Sequence, residues 1–215
     1  MKYLLGLLAL ISFVPSVYAE FDEGINYDVL ATAQPTSEPD KIEVLELFWY
    51  GCPHCYHLEH DVQTWLKTKP DDVEFVRVPA VLGPSWELLG RAYYTAQLLG
   101  VEDTMHQALF NRIHKDRKMI RNVGDLKAIF VENGVSEKDF DSTFQSFAVV
   151  TKTNRAKQAH ERYGVTGVPA LIVNGKYRTS AKQAGGNKQM FDVVDYLVEK
   201  ERRAGAEQAG AASVN

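Results

Sequence analysis

Cys52 and Cys55 are the only cysteines among 215 residues, and only Pro53 and His54 separate them. A disulfide between them closes a ring of four residues, which constrains an unfolded chain by roughly 2 kcal/mol before strain is subtracted. So short a ring is poor scaffolding, and the chemistry of the pair is the better reason for it. Thiol–disulfide exchange runs through a thiolate attacking a sulfur, so the deciding question is which cysteine ionises. Gly51 breaks an apolar strand-like run, and Pro53 suits the first turn of a helix, where its missing N–H leaves nothing unsatisfied. Cys52 then stands at a helix mouth, facing free backbone N–H groups and the positive end of the helix dipole. His54 adds a donor or a positive charge beside it. Cys55 lies one turn in, on the apolar face with Leu58 and Val62. This spacing predicts an exposed, readily ionised Cys52 that forms a mixed disulfide with a partner thiol, and a buried Cys55 that closes the chain's own disulfide. Favouring the Cys52 thiolate favours the reduced pair, so the disulfide is readily given away.

The elements that must hold this pair follow from periodicity. Ile42–Trp49 reads as a strand buried on both faces. Cys55, Leu58, Val62, Trp65 and Leu66 share a helix face that Pro70 closes, and residues 73–78 read as a second central strand. Together they make a βαβ unit. Residues 80–149 turn wholly helical: Trp86, Leu89 and Tyr93 share one face, Met105, Leu109 and Ile113 another. Ser136 with Asp139 resembles a capping box ahead of Phe140, Phe144 and Phe147. A further helix is expected over Val150–Tyr163. Val168-Pro169 then opens a late strand, and Asn174-Gly175 between two strand-like runs is a strong hairpin signal. Met190, Val194, Leu197 and Val198 mark a final amphipathic helix, with residues 204–215 expected as a disordered tail. Ile25, Tyr27, Val29 and Leu30 suit a short edge strand. Gly185-Gly186 reads as a loop.

Met1–Ala19 carries one basic residue, an apolar run from Leu4 to Val14, and Val17-Tyr18-Ala19, the layout of a secretory signal cut after Ala19. The run is about 11 residues, well short of the ~20 that a membrane span needs. Export to a compartment where disulfides persist follows. With 45% hydrophobic and 24% charged residues the chain has the composition of an ordinary globular protein. A net charge of −4, one more negative without Lys2, and no isolated basic cluster give no footing for nucleic acid.

Phe48-Trp49-Tyr50-Gly51-Cys52-Pro53-His54-Cys55-Tyr56, Gly167-Val168-Pro169 and Val173-Asn174-Gly175-Lys176-Tyr177 together resemble the DsbA family through nearly the whole chain beyond residue 19. The resemblance implies an α/β thioredoxin-like fold with an inserted all-helical domain: residues 20–79 and 150–203 form the thioredoxin-like part and 80–149 the insert. It also implies a monomeric periplasmic thiol-disulfide oxidoreductase without a cofactor. Such a protein oxidises reduced, unfolded client proteins and is reoxidised by a DsbB-like membrane protein. By the same resemblance the Val168–Pro169 bond is cis and lies beside Cys52, leaving the Val168 backbone to pair with an extended client whatever its side chains. Glu46 matches the family's acid beneath the site, and Arg77 falls where the family has Lys. The two are either a relay for the Cys55 proton or a plain ion pair, and the permanent charge of Arg makes it a poor proton carrier.

Two rival functions are a disulfide isomerase or reductase and a metal-binding chaperone. Glu20–Lys41 is too short for the dimerisation domain that precedes the thioredoxin unit of periplasmic isomerases. Cys52, Cys55, His57 and His60 count as four donors, but Cys52 and His60 stand ~12 Å apart along a helix. His57 and His60 therefore read as surface residues and no metal site is expected. His106, His114 and His160 receive no role. Trp49, Tyr50 and Tyr56 are either core and rim or an apolar surface around Cys52, with Leu82 and Trp86 as a possible opposite wall.

Overall fold

The computed structural model describes residues 21–212, and the expected leader Met1–Ala19 lies outside the described residues. β1 (Asp28–Val29), β2 (Ile42–Phe48), β3 (Val73–Pro79), β4 (Ala170–Val173) and β5 (Tyr177–Thr179) form one sheet in the order β1-β5-β4-β2-β3. β2 is central, parallel to β3 and antiparallel to β4. That position explains why it is apolar on both faces. Side chains alternate along it: Val44 packs with Leu58, Val62 and Leu197, whereas Leu45 and Leu47 pack with Tyr163 and Ile172 on the opposite face. Glu46 shares the Val44 face and stands in register with Arg77 of β3.

The helix α1 (Pro53–Leu66) connects β2 to β3 and buries Cys55, Leu58, Val62 and Trp65 on one stripe, with Glu59 as its one buried acid. After β3 come α2 (Pro84–Leu98), α3 (Glu102–Phe110), a π-helical turn at Asn111–Lys115, α4 (Val123–Glu132), α5 (Glu137–Phe144) and α6 (Phe147–Lys157). The cluster built by Tyr93, Met105, Phe110, Phe130 and Phe140 is continuous with Phe48, Cys52 and Cys55, so the helical layer is packed directly onto the cysteine segment. Ser136 accepts a hydrogen bond from the Asp139 N–H, as its spacing predicts, and Asn122 and Ser146 cap α4 and α6 in the same way.

The sequence expectations shift in three places. The helix expected over 150–163 is two pieces, α6 and α7 (Ala159–Arg162), because α6 lies along α2 while α7 turns back onto the sheet with Ala159 and Tyr163 buried. The helical layer therefore runs to about Gln158 and does not close at Val149. The edge strand is only the two residues of β1. The last helix, α9 (Asn187–Ala212), follows the short α8 (Ala181–Ala184) and runs past Arg203 to Ala212, a correction to the disordered tail. Its exposed end is held by Ala204, Ala206, Glu207, Gln208 and Ala209, good helix formers that outweigh Gly205 and Gly210.

The hairpin between β4 and β5 turns through Asn174 (φ 50°) and Gly175 (φ 61°), the pair of positive φ angles that a type I′ turn requires. A Cβ on Gly175 would lie 2.1 Å from the Gln34 carbonyl oxygen. Gly175→Ala is therefore expected to cost roughly 1–3 kcal/mol, lowering Tm by about 2–4 °C per kcal/mol in thermal denaturation. An unchanged Tm would contradict this close approach.

Candidate active site

β2 ends at Phe48, and Trp49-Tyr50-Gly51 turns the chain into α1, with the Cys52 N–H donating to the Trp49 carbonyl (2.9 Å). Gly51 is required here, since a Cβ would fall 2.4 Å from the Trp49 ring. Cys52 is the N-cap of α1 in extended conformation, Pro53 follows at the first helical position, and no acid occupies the first turn to compete for the dipole. The N–H groups of Cys55 and His54 face the Cys52 sulfur without meeting the geometry of a capping hydrogen bond. Both cysteines are free thiols.

The two sulfurs have opposite electrostatics. A hydrogen bond from the Cys55 thiol holds Cys52 down to about 6, against the opposing effect of burial and with help from the Cys55 and His54 N–H groups and the His54 charge. Burial pushes the Cys55 thiol far up, and the Cys52 and Glu46 charges push the same way. The expectation that Cys52 is exposed needs correction: the residue is 8% exposed, and its Sγ sits 3.4 Å from the Val168 carbonyl oxygen. Tertiary contact with the Val168 loop closes the slot that the helix mouth alone would leave open. Cys55 is fully buried, as its helical position predicts.

The Val168–Pro169 bond is cis. Val168, Pro169, Gly167 and His54 border a groove of about 680 Å³ that extends to Arg178 and Lys182. Around the cysteine segment, Trp49 stacks on Trp86 of α2 (3.9 Å, 8°), and Tyr56 stacks on His114 (4.9 Å, 16°). His114 lies on the π-helical turn and its Nε2 is 2.8 Å from the Tyr50 carbonyl oxygen. Leu82 stays exposed, whereas Tyr50 belongs to the core. His57 and His60 are exposed on α1.

Beneath Cys55 lies a buried charged cluster. Arg77 Nη2 donates to Glu59 Oε1 (2.8 Å) and Oε2 (3.3 Å), while its Nε is 3.3 Å from Glu46 Oε2 but off the hydrogen-bond line. His106 Nε2 is 2.9 Å from Glu59 Oε1, and its Nδ1 is 3.0 Å from Tyr50 Oη. Burial pushes the Glu46 carboxyl up to about 7, with Arg77 pulling it down and the Glu59 charge pushing it up again. Burial also works against ionising Glu59, yet the His106 hydrogen bond and the Arg77 charge hold its carboxyl low. Sequence reasoning singled out Glu46 and Arg77 but missed Glu59, His106 and His114. The available signal for Glu59 was an acid four residues after Cys55, on the same helix stripe. The two histidines gave none, since their partners come from other elements.

Residues 43–198 match the DSBA-like thioredoxin domain family. The chain is 42% identical over 185 residues to the thiol:disulfide interchange protein DsbA of Pseudomonas aeruginosa, covering 86% of this chain and 88% of that protein. Its identity to the DsbA of Pseudomonas syringae is 44% over 183 residues, 85% of this chain and 86% of that protein. The crystal structure of Pseudomonas aeruginosa DsbA superposes with a TM-score of 0.81 at 43% identity, covering 85% of this chain and 95% of that chain. For the oxidoreductase DsbA of Xylella fastidiosa the TM-score is 0.77 at 34% identity, with 83% and 96% covered. A thioredoxin-like sheet with a cysteine pair at the mouth of its first long helix, matched in sequence and shape across most of its length, places this chain in the DsbA family of thiol:disulfide oxidoreductases.

Proposed function

We propose that the protein acts in the oxidising direction, giving its Cys52–Cys55 disulfide to reduced, unfolded proteins in the periplasm after removal of the leader, and that a DsbB-like membrane protein reoxidises it. The observation that carries this reading is the contrast between the two sulfurs: Cys52 held down to about 6 at the helix mouth, Cys55 buried and pushed far up. Each unit of depression in a cysteine is worth about 1.4 kcal/mol, or ~30 mV for a two-electron couple. The reduced pair gains that energy and the disulfide does not.

The exchange follows from these positions. A client thiolate attacks the Cys52 sulfur, the bond between Cys52 and Cys55 breaks, and Cys55 leaves as a thiolate that takes a proton. A second client thiolate then attacks the client sulfur of the mixed disulfide, and Cys52 departs as a stable anion. His54 and Pro53 serve by keeping the helix mouth open and positive. The Val168 carbonyl beside Cys52 supplies backbone pairing for an extended segment, which reads no side chain. Glu46 exchanges the proton with Cys55: its carboxyl, raised to about 7, gives a proton to the departing Cys55 and takes it back on reoxidation. Arg77 carries no proton in this scheme. Its fixed charge sets the proton affinity of Glu46.

Thiolate absorbance of the reduced protein should rise with a midpoint near pH 6, and a midpoint like that of free cysteine would overturn the donor reading. The folded Cys52 lies below its unfolded value. The reduced fold therefore gains stability fully present above the unfolded thiol's pKa, and loses it as pH falls through about 6. In denaturant titrations the reduced form should outlast the oxidised form at neutral pH, with the gap narrowing towards pH 5. With a reduced unfolded client, the oxidised protein should transfer one disulfide per molecule and Cys52→Ala should transfer none. Offered a client that already carries disulfides, Cys55→Ala should trap it, the Cys52 thiolate displacing one client sulfur as a thiolate and no second thiol being present to resolve the mixed disulfide. Preferential reshuffling of a scrambled client would instead favour an isomerase.

A further inference from the structure

The proton-exchange role of Glu46 raises the question of why Glu46, and not its neighbour Glu59, is the carboxyl that gains a proton. The two acids share one cation. Arg77 spans both, but its hydrogen bonds go to Glu59, and its Nε approaches Glu46 without forming one. Glu59 accepts further hydrogen bonds from Gln63 Nε2 at 3.3 Å and from His106 Nε2 at 2.9 Å. Two carboxylates around one guanidinium cannot both hold their charge cheaply at this depth, and the one with more donors keeps it.

Among those donors His106 does most to hold Glu59 ionised against its burial. It is 4% exposed, walled by the edges of Phe48 and Phe110. The charged and titratable groups facing it are Tyr50 from the turn before α1, Glu59 from α1, Arg77 from β3 and Glu102 from its own helix. Glu102 accepts from the Tyr93 hydroxyl at 2.9 Å. Burial raises the Tyr50 phenol and lowers His106, so a protonated phenol meets a neutral imidazole. The phenol O–H has its acceptor at Nδ1, which puts the imidazole proton on Nε2, aimed at Glu59 Oε1.

We infer that His106 is a positioning residue for the exchange reaction: its Nε2–H, fixed by the Tyr50 hydroxyl on Nδ1, keeps Glu59 ionised and engaged with Arg77, so that Glu46 is the buried carboxyl left to exchange a proton with Cys55. This rests on the Glu46 role proposed above. Without His106, Glu59 competes for the proton, and whenever it takes one, Glu46 loses a neighbouring negative charge and gains more of Arg77. Glu46 then stays ionised to lower pH.

The test is resolution of a glutathione mixed disulfide on Cys52. Cys55 loses its proton to Glu46 and attacks the Cys52 sulfur, the bond between Cys52 and Cys55 forms, and glutathione leaves as its thiolate. The rate of glutathione release is followed against pH by stopped flow. The parent protein should lose rate below about pH 7 as Glu46 is protonated. His106→Phe, whose ring fits the aromatic wall, should move this limb down by about one pH unit. His106→Gln, which keeps an N–H donor, should leave it in place. Glu59→Gln removes the competing charge outright and should move the limb the same way, which keeps the test valid if His106→Phe fails to fold. Cys52 thiolate absorbance should keep its midpoint in all three variants. A limb that stays put in folded His106→Phe or in Glu59→Gln overturns the positioning role alone. Absence of any such limb in the parent protein overturns the Glu46 role and this inference with it.

Discussion

The site depends on where negative charge is permitted: at Cys52, on the rim of α1, and not at Cys55 one turn deeper. The helix supplies the first condition through uncovered N–H groups at its start, a proline that leaves none of them wasted, and a first turn free of acids. The second comes from packing. Cys55 lies on the stripe that α1 presses into the core, where an anion has no water and no donor of its own beyond the Trp49 backbone. Because the two cysteines belong to one helix turn, a single structural unit gives them opposite acidities.

This polarity needs support from below, and the sheet provides it by register. β2 and β3 are parallel and in step, so Glu46 and Arg77 emerge side by side on the face that α1 covers. Helical periodicity, one turn on from Cys55, then brings Glu59 down from α1 onto the same guanidinium. A buried ion pair with one partner removed leaves an uncompensated charge, typically 3–5 kcal/mol of destabilisation. Loss of any one partner from the cluster is therefore costly to the fold, and the helical insert joins the cluster through His106.

Much of this was legible in the sequence, and the limits have a common cause. β2, α1, β3 and the Asn174-Gly175 hairpin were readable because periodicity and turn chemistry are local properties. The places of the two cysteines, one at the helix mouth and one a turn in, followed from a helix start, also local. The α6–α7 break, the π-helical turn and the positions of His106 and His114 arise where one element meets another, and no spacing along the chain encodes that meeting. Cys52 shows the same boundary: its place at the helix mouth was predictable, while its cover by Val168 belongs to a loop 116 residues away. The tail was misjudged for the opposite reason, since its richness in alanine and glycine suggested disorder although its alanines, with Glu207 and Gln208, carry the helix on to Ala212.

The two ring stacks have a geometric consequence. Trp49 on Trp86 and Tyr56 on His114 fasten the cysteine segment to the insert at two points, one before Cys52 and one after Cys55. The segment is thereby anchored to the insert on both sides of the cysteine pair, and its third neighbour is the Val168 loop, whose carbonyl oxygen lies against the Cys52 sulfur. Any displacement of α2 or of the π-helical turn is therefore carried straight to the backbone that bears the two sulfurs.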